Sequence, residues 1–368
     1  MEIVDNQYNS DPMRFLSPDI RTLQPYVPGE QSKNEFILKL NTNENPYPPS
    51  PQVAKAIQQL LSNSADCLRL YPDPDAKLLR TKIAQQQNVD IDQIFVGNGS
   101  DEVLAFIYKA FFNHPSKSIL YPDISYSFYP VYKQFYGLNA IAIPVDTNFQ
   151  IQPQDYVQEN CGIIIANPNA PTGIALELTQ IEEILKTNPN SVVVIDEAYV
   201  DFGAQSAVKL IPHYDNLVVC QTTSKSRSLA GLRVGFAIAQ THLINALDRV
   251  KNCFNSFPVD QIAIAAASAS FEDQSYFEKC CQQVIEDREH LTNELEQLGF
   301  QVLPSKANFI FVHHLTAEAK QLAQQLKQQN ILVRYFDKPR INGYLRISIG
   351  TLNDNIRLVN VLRSILID

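Results

Sequence analysis

Short apolar runs alternate with amphipathic stretches through the middle of the chain, from residue 94 to about 250. IFVGNGS, SILYP and AIAIPV read as short strands, and GIIIANP and SVVVIDEAY as the continuous β-branched runs of strands buried on both faces. LVVCQTTS and RVGFAIA extend the series. Between them DEVLAFIYKAFFN sets Val103, Leu104, Ile107 and Phe111 at helical spacing, and another helix is expected at about 177–187. Strands alternating with helices predict an α/β fold whose mostly parallel sheet is flanked by helices.

Outside this region the pattern differs. Residues 1–35 show no periodicity and read as an arm or strap, and the Pro/Asn-rich NTNENPYPPSP excludes both helix and central strand. Helices follow at about 51–62 and behind the YPDP turn. After about residue 250 one helical tract, 259–298, is expected to end at Gly299 as a C-cap glycine. SKANFIFVHH, a helix at 316–329, ILVRYF, YLRISIG and a last helix then form an α+β pattern. This segmentation predicts an arm over 1–40 packing with the small domain, a large domain over 41–254 and a small C-terminal domain over 255–368.

Composition narrows the function. A net charge of −9 over 368 residues argues against a nucleic-acid or membrane-surface partner, but a few arginines in a cleft can still hold a small anion. The six cysteines, at 67, 161, 220, 253, 280 and 281, form no CxxC pair and read as reduced thiols. MEIVDNQYNSDPMRF lacks the basic and apolar regions of a signal peptide, and no run reaches membrane-spanning length, so a soluble, cytoplasmic protein is expected. His313 and His314 end a strand without metal-ligand spacing, and no metal is expected.

In an open parallel sheet, ligands gather at the carboxyl ends of the strands. GNGS, NPNAPTG, DEAY and TTSK each stand where a strand ends. In GNGSDE, Gly97 and Gly99 permit a tight turn and Ser100 is a good N-cap, so backbone N–H groups there can bind a phosphate. Asp101 and Glu102 repel that phosphate, which leaves the N–H groups as the binding atoms. Asp196, at the end of a buried strand, needs a partner for its charge, and a protonated ring nitrogen is one. Lys225 follows LVVC within a Ser/Thr run, with the LAG turn and Arg233 close behind. Alone, such a lysine is a solvated charge. Beside three other strand-end loops of matching chemistry, it becomes the candidate covalent anchor of a cofactor.

LNTNENP, RLYPDP, GNGSDE, YSFY, NPNAPTG, VVIDEAYVDF, TTSKSRSLAGLRVG, SKANFIF and LRISIG occur in the order found in the fold-type-I pyridoxal-phosphate aminotransferases. Within that family the chain resembles the histidinol-phosphate branch. The resemblance implies that Lys225 forms a Schiff base with the cofactor aldehyde, Asp196 pairs with the pyridine nitrogen, and Tyr199 bonds the ring hydroxyl oxygen. It implies that Tyr126 stacks on the ring, and that Ser100, Asp101, Ser224 and Arg233 cup the phosphate. Tyr71 is implied to reach the same phosphate from a second subunit, hence a homodimer with shared active sites. Arg346 and Arg334, with Tyr26, are implied to hold the substrate's anionic group, with Asn43 and Glu44 lining the substrate side. The family's asparagine before Pro-Thr-Gly is Ala170 here, which leaves Asn169, Asn167 or Tyr199 alone to serve the ring oxygen.

The reaction so implied is ping-pong transfer of an amino group between histidinol phosphate and 2-oxoglutarate, with glutamate as the second substrate pair, in histidine biosynthesis. The same motifs serve a threonine-phosphate decarboxylase-like lyase or a broader aromatic aminotransferase. A non-catalytic module would be expected to lack Lys225 or Asp196, and both are present.

Overall fold

The structure, a computed structural model, describes residues 12–31, 36–63 and 65–367. In chain order, α1 (Pro18–Thr22) precedes β1 (Leu38–Leu40), α2 (Pro51–Asn63) and α3 (Lys77–Gln87). β2 (Ile94–Asn98) runs into α4 (Gly99–Phe111), followed by β3 (Ile119–Pro122), α5 (Tyr129–Phe135), β4 (Ala140–Ile143) and β5 (Gly162–Ala166). Next come α6 (Leu178–Thr187), β6 (Val192–Asp196), β7 (Leu217–Thr222), β8 (Val234–Ala239) and α7 (Thr241–Phe254). α8 (Gln261–Glu272), α9 (Gln274–Gln297), β9 (Phe300–Val302) and β10 (Phe309–His314) follow. α10 (Ala319–Gln328), β11 (Ile331–Tyr335), β12 (Leu345–Ser348) and α11 (Leu352–Ile367) complete the chain.

Seven strands form the large sheet in the order β2-β8-β7-β6-β5-β3-β4. Every pairing is parallel except those of β8, which runs antiparallel to β2 and β7. The fold is therefore α/β, as the alternation predicts. Strands β5, β7 and β8 are buried at every position because both faces are covered. One apolar cluster joins the sheet to α3, α6 and α8, and the other joins it to α4, α5 and α7. The reversed β8 has a positional consequence. Its amino end, next to Arg233, lies at the sheet edge where β2, β7 and β6 have their carboxyl ends.

The second sheet has the order β1-β11-β12-β10-β9. β1 pairs parallel with β11, so the last residues of the expected arm form a strand of this sheet. Residues 1–11 and 32–35 of that arm lie outside the described residues. The expected single tract 259–298 is two helices, broken at Asp273, which caps α9 through its side chain. The placement of α8 also differs from the expected boundary at 254–255. Val259, Ala263, Ile264, Ala266, Ala267 and Phe271 pack into the core under the large sheet, against α2 and α3, whereas Phe277, Val284, Leu291 and Leu295 of α9 pack in the small-sheet core. The sequence gives both helices the same periodicity, and only packing separates them. Among the described residues no helix is long and apolar enough to cross a membrane.

Close approach of β8 to α4 requires Gly235, where a Cβ would meet the Ser100 backbone nitrogen well inside van der Waals contact. Gly235→Ala is therefore expected to cost about 1–3 kcal/mol in a urea-unfolding measurement. Gly231→Ala, where a Cβ meets nothing within 4 Å, is the matched control and is expected to change stability by less than about 0.5 kcal/mol. Equal effects of the two would contradict the crowding at β8.

Candidate active site

Five loops of the large sheet and one face of the small sheet meet in an open cleft. β6 ends in Asp196, which is buried. Its Oδ2 accepts a hydrogen bond from the Tyr129 hydroxyl at 3.0 Å, while its Oδ1 meets no donor among the described residues. Burial raises the Asp196 pKa to about 6, against the opposing Tyr129 bond and the Ala198 N–H, which lies near the carboxylate without forming a well-shaped hydrogen bond. Its neighbour Glu197 faces the other way, and the contrast is informative. That carboxylate is also buried but accepts from Ser206 Oγ (2.7 Å), the Ala207 N–H (2.6 Å) and Gln221 Nε2 (2.8 Å). The unmet oxygen thus belongs to the carboxylate that lines the cleft.

β7 leads into Ser224 and Lys225. Lys225 Nζ donates to the Thr42 carbonyl at 3.2 Å and stands 5.8 Å from the centroid of the Tyr199 ring. Burial, then the charge of Arg346, lower its pKa to about 8, with Glu44 opposing. Tyr199 accepts from Asn43 Nδ2 at 3.1 Å, and Asn43 is itself fixed by Ser348 and Asn308. Glu44 holds Lys39 at 2.6 Å and accepts from the Thr42 hydroxyl.

At the opposite end, Ser100 and Asp101 open α4 beside Arg233. The Asp101 carboxylate accepts from Arg233 Nη2 at 3.1 Å and from the Tyr126 hydroxyl at 3.0 Å. Its charge is therefore engaged sideways, which leaves the start of the helix as the anion-binding feature. Ser224 Oγ accepts from Thr222 Oγ1 at 3.0 Å in the same corner. Gly99, at φ 81°, lets the Arg233 guanidinium pass where a side chain would stand.

The small sheet contributes two arginines. Arg334 and Arg346 are directly opposed across β11 and β12, and both line the cleft. Arg346 donates to the Asn41 carbonyl at 3.0 Å, its Nε is buried without a partner, and burial lowers its pKa. Among the described residues neither arginine has an acid within ion-pair distance. Both side chains are only partly buried, and a partly desolvated cation without a counter-charge is a ready partner for an anionic ligand. Tyr26 lines the same wall, its ring 4.9 Å from that of Phe128.

Four expected residues, Asn167, Asn169, Tyr71 and Glu44, do not line the cleft. Asn169 is buried with its amide committed, Nδ2 to the Ile124 carbonyl (2.8 Å) and Oδ1 to the Ser125 hydroxyl (2.7 Å). Asn167 is similarly bonded to both backbone groups of Leu176, whereas Ala170 does line the cleft. The Asn167–Pro168 and Ala170–Pro171 peptides are both cis. Tyr71 is 80% exposed, stacked on Phe257 at 4.5 Å, and outside this chain's cleft. Sequence reading missed Tyr129, and the available signal was that a buried Asp196 demands a donor. It also missed Phe336 and the segment Pro28–Gly29, which line the cleft without carrying a motif.

The unmet Asp196 oxygen, the glycine-lined corner at α4 and the lysine between them fit an aromatic ring that carries a protonated nitrogen and a phosphate. The model of the family aminotransferase class I and II matches residues 35–362. The chain is 66% identical over 351 residues to the histidinol-phosphate aminotransferase of Acinetobacter baumannii (strain AYE), covering 95% of this chain and 97% of the relative. The crystal structure of histidinol-phosphate aminotransferase from Sinorhizobium meliloti in complex with pyridoxal-5'-phosphate aligns with a TM-score of 0.85 at 22% identity, over 96% of this chain and 98% of that one. L-threonine-O-3-phosphate decarboxylase from Porphyromonas gingivalis aligns at 0.77 and 24% identity, over 90% and 100%. The two structural likenesses establish the fold alone.

The Asp196 environment makes a pH-dependent prediction for protein stripped of cofactor. A carboxyl whose folded pKa is raised keeps its proton in the folded state after the unfolded chain has lost it. Stability is therefore lost as pH rises from about 4 to about 6, by up to roughly 3 kcal/mol. Asp196→Asn is expected to raise the urea midpoint at about pH 8 and to leave it unchanged near pH 4. The same difference between the two proteins at both pH values would contradict the assigned environment.

Proposed function

The chain belongs to the class I and II aminotransferase family, and from that premise we propose that it transfers an amino group between histidinol phosphate and 2-oxoglutarate in histidine biosynthesis. Pyridoxal 5'-phosphate is the cofactor, and when bound it supplies the electron sink that makes the substrate's α-proton removable. The observation that carries the substrate assignment is the pair Arg334 and Arg346, acid-free on the cleft wall that also holds Lys225.

Each residue then has a role that follows from its surroundings. Asp196 offers Oδ1 to the ring N–H, and Tyr129 keeps the carboxylate facing that way. Tyr199 serves the ring oxygen by itself, because Ala170 carries no polar side-chain atom and the Asn167 and Asn169 amides are engaged. Tyr126 lies against the ring, tied by its hydroxyl to Asp101. The N–H groups of Ser100 and Asp101, Ser224 Oγ and Arg233 would hold the phosphate. Tyr71 serves the phosphate bound by a second copy of the chain, which makes the active form a cytoplasmic homodimer. The exposed apolar residues around Tyr71, namely Leu68, Leu70 and Phe257, support that pairing.

Lys225 would hold the cofactor covalently, and its Nζ is the atom that would move the substrate's α-proton. Its lowered pKa keeps a useful neutral fraction near neutral pH, as a lysine base requires. Arg346 and Arg334 bind the phosphate of histidinol phosphate in one half-reaction. Arg346 binds the α-carboxylate of glutamate in the other, since a guanidinium fork suits both anions. One anion site thus serves two substrates in turn, in a ping-pong cycle.

Lys225→Ala is expected to lower glutamate formation from histidinol phosphate and 2-oxoglutarate by at least about 10²-fold while leaving the unfolding curve intact. Wild-type rates in that variant would remove Lys225 from the chemistry. Arg346→Ala is expected to lower kcat/KM about 10–100-fold in both half-reactions, measured separately. Loss in only one half would show that the two anions use separate sites. Release of carbon dioxide from phosphothreonine, with no glutamate formed from histidinol phosphate, would overturn the assignment.

A further inference from the structure

The hairpin that carries both anion-binding arginines is fastened at two ends. Its strands, β11 and β12, belong to the small sheet, with Arg334 opposite Arg346. Its connecting loop, 336–344, reaches across to the large domain. There Arg340 Nη1 donates to Asp123 Oδ2 at 2.9 Å, and Nη2 donates to the carbonyls of Val145 (2.8 Å) and Asp146 (2.9 Å). Asp123 is held for this contact, because its Oδ1 accepts from the Val145 N–H at 3.0 Å. Next to Arg340, Ile341 is buried in the apolar cluster under the large sheet. Tyr344 stacks on Phe311 of β10 at 4.7 Å and meets the edge of Phe149, from the large domain, at 5.3 Å. Arg340 itself has φ 68°, a conformation rarely adopted outside glycine and sustained only where surrounding contacts over-determine it.

We propose that Arg340 is a positioning residue for the anionic substrate. Its clasp on Asp123 and the two neighbouring carbonyls sets how Arg334 and Arg346 stand over the cleft. Phe336 transmits the placement. Its ring lies 5.5 Å from the Arg334 guanidinium and 5.6 Å from that of Arg346, and it lines both the cleft and the smaller cavity beside Arg340. Releasing the clasp leaves the loop held to the large sheet only by the non-directional contacts of Ile341 and Tyr344, so the arginines lose their register against Lys225. The Arg340–Asp123 pair is partly exposed and contributes little to global stability, as surface ion pairs generally do. Its effect falls on binding geometry, where small misplacements are costly.

The inference rests on the histidinol phosphate reading, and the test separates the two. Glutamate formation by the wild-type chain is measured first, and its absence removes the substrate reading whatever the variants do. Given wild-type turnover, Arg340→Met and Asp123→Asn are each expected to raise KM for histidinol phosphate about tenfold with kcat within about twofold. The double variant is expected to be no worse than the worse single one. Arg340→Lys, which keeps the charge but not the fork, is expected to fall between wild type and Arg340→Met. Unphosphorylated histidinol decides between positioning and general damage. Its kcat/KM is expected to stay at the wild-type value, since it brings no phosphate to the arginines. An unchanged KM for histidinol phosphate, additive losses in the double variant, or an equal loss with histidinol would each overturn the clasp.

Discussion

A carboxylate buried at the end of a strand must be paid for in hydrogen bonds, and Asp196 is the point where this chain leaves one unmade. Glu197, its neighbour on the opposite face, receives three donors. Asp196 receives the Tyr129 hydroxyl on one oxygen and nothing from the described residues on the other. The fold could have satisfied both, since the two residues end the same buried strand. That asymmetry leaves an acceptor for a ligand, and the ring N–H proposed above is a donor of the right kind.

The same logic extends to the cations. Lys225 and Arg346 share one cleft, and the charge of Arg346 counts among the influences that lower the pKa of Lys225. Burial is the larger influence on both groups. An ion pair across the cleft would relieve the cost and abolish the function, because it would cap the arginine and keep the lysine protonated. Glu44 comes closest to that role, but its carboxylate is turned to Lys39 and Thr42. The site is thus kept charged and underpaired on the side where an anionic, aldehyde-bearing ligand and an anionic substrate are proposed to enter.

Legibility in the sequence followed the physics of each element. The buried strands β5, β7 and β8 need continuous β-branched runs, so the large sheet could be read from apolar pattern alone. Loops at the carboxyl ends of strands carry their polar residues in fixed order, so the segments holding Lys225, Asp196, Ser100 and Arg233 stood out, and the structure gathers those residues in one cleft. Residues that act through a neighbour left no such mark. Tyr129 is one aromatic among several in YSFY until the fold brings it to Asp196. Asn169 carries the expected chemistry in the expected motif, yet its amide points to Ile124 and Ser125. The division between α8 and α9 was hidden because both helices present an apolar face, and the core that each face meets is decided by tertiary packing.

The reversal of β8 shows why the cleft needs two domains. An all-parallel sheet would place Arg233 at the edge remote from the strand ends, whereas one antiparallel strand returns it beside Ser100. That close return is possible only because Gly99 and Gly235 lack side chains. The large sheet thereby brings Ser100, Asp101, Ser224 and Arg233 together from its own loops, the corner proposed for the cofactor phosphate. It supplies no comparable pair of cations at the substrate end, where the acid-free arginines come from β11 and β12. The sites proposed for the cofactor and substrate anions consequently belong to different sheets of the molecule. The distance between the two anion sites then depends on how firmly the small sheet is seated on the large one, and the loop between β11 and β12 is where that seating combines a three-point guanidinium contact with a buried apolar plug.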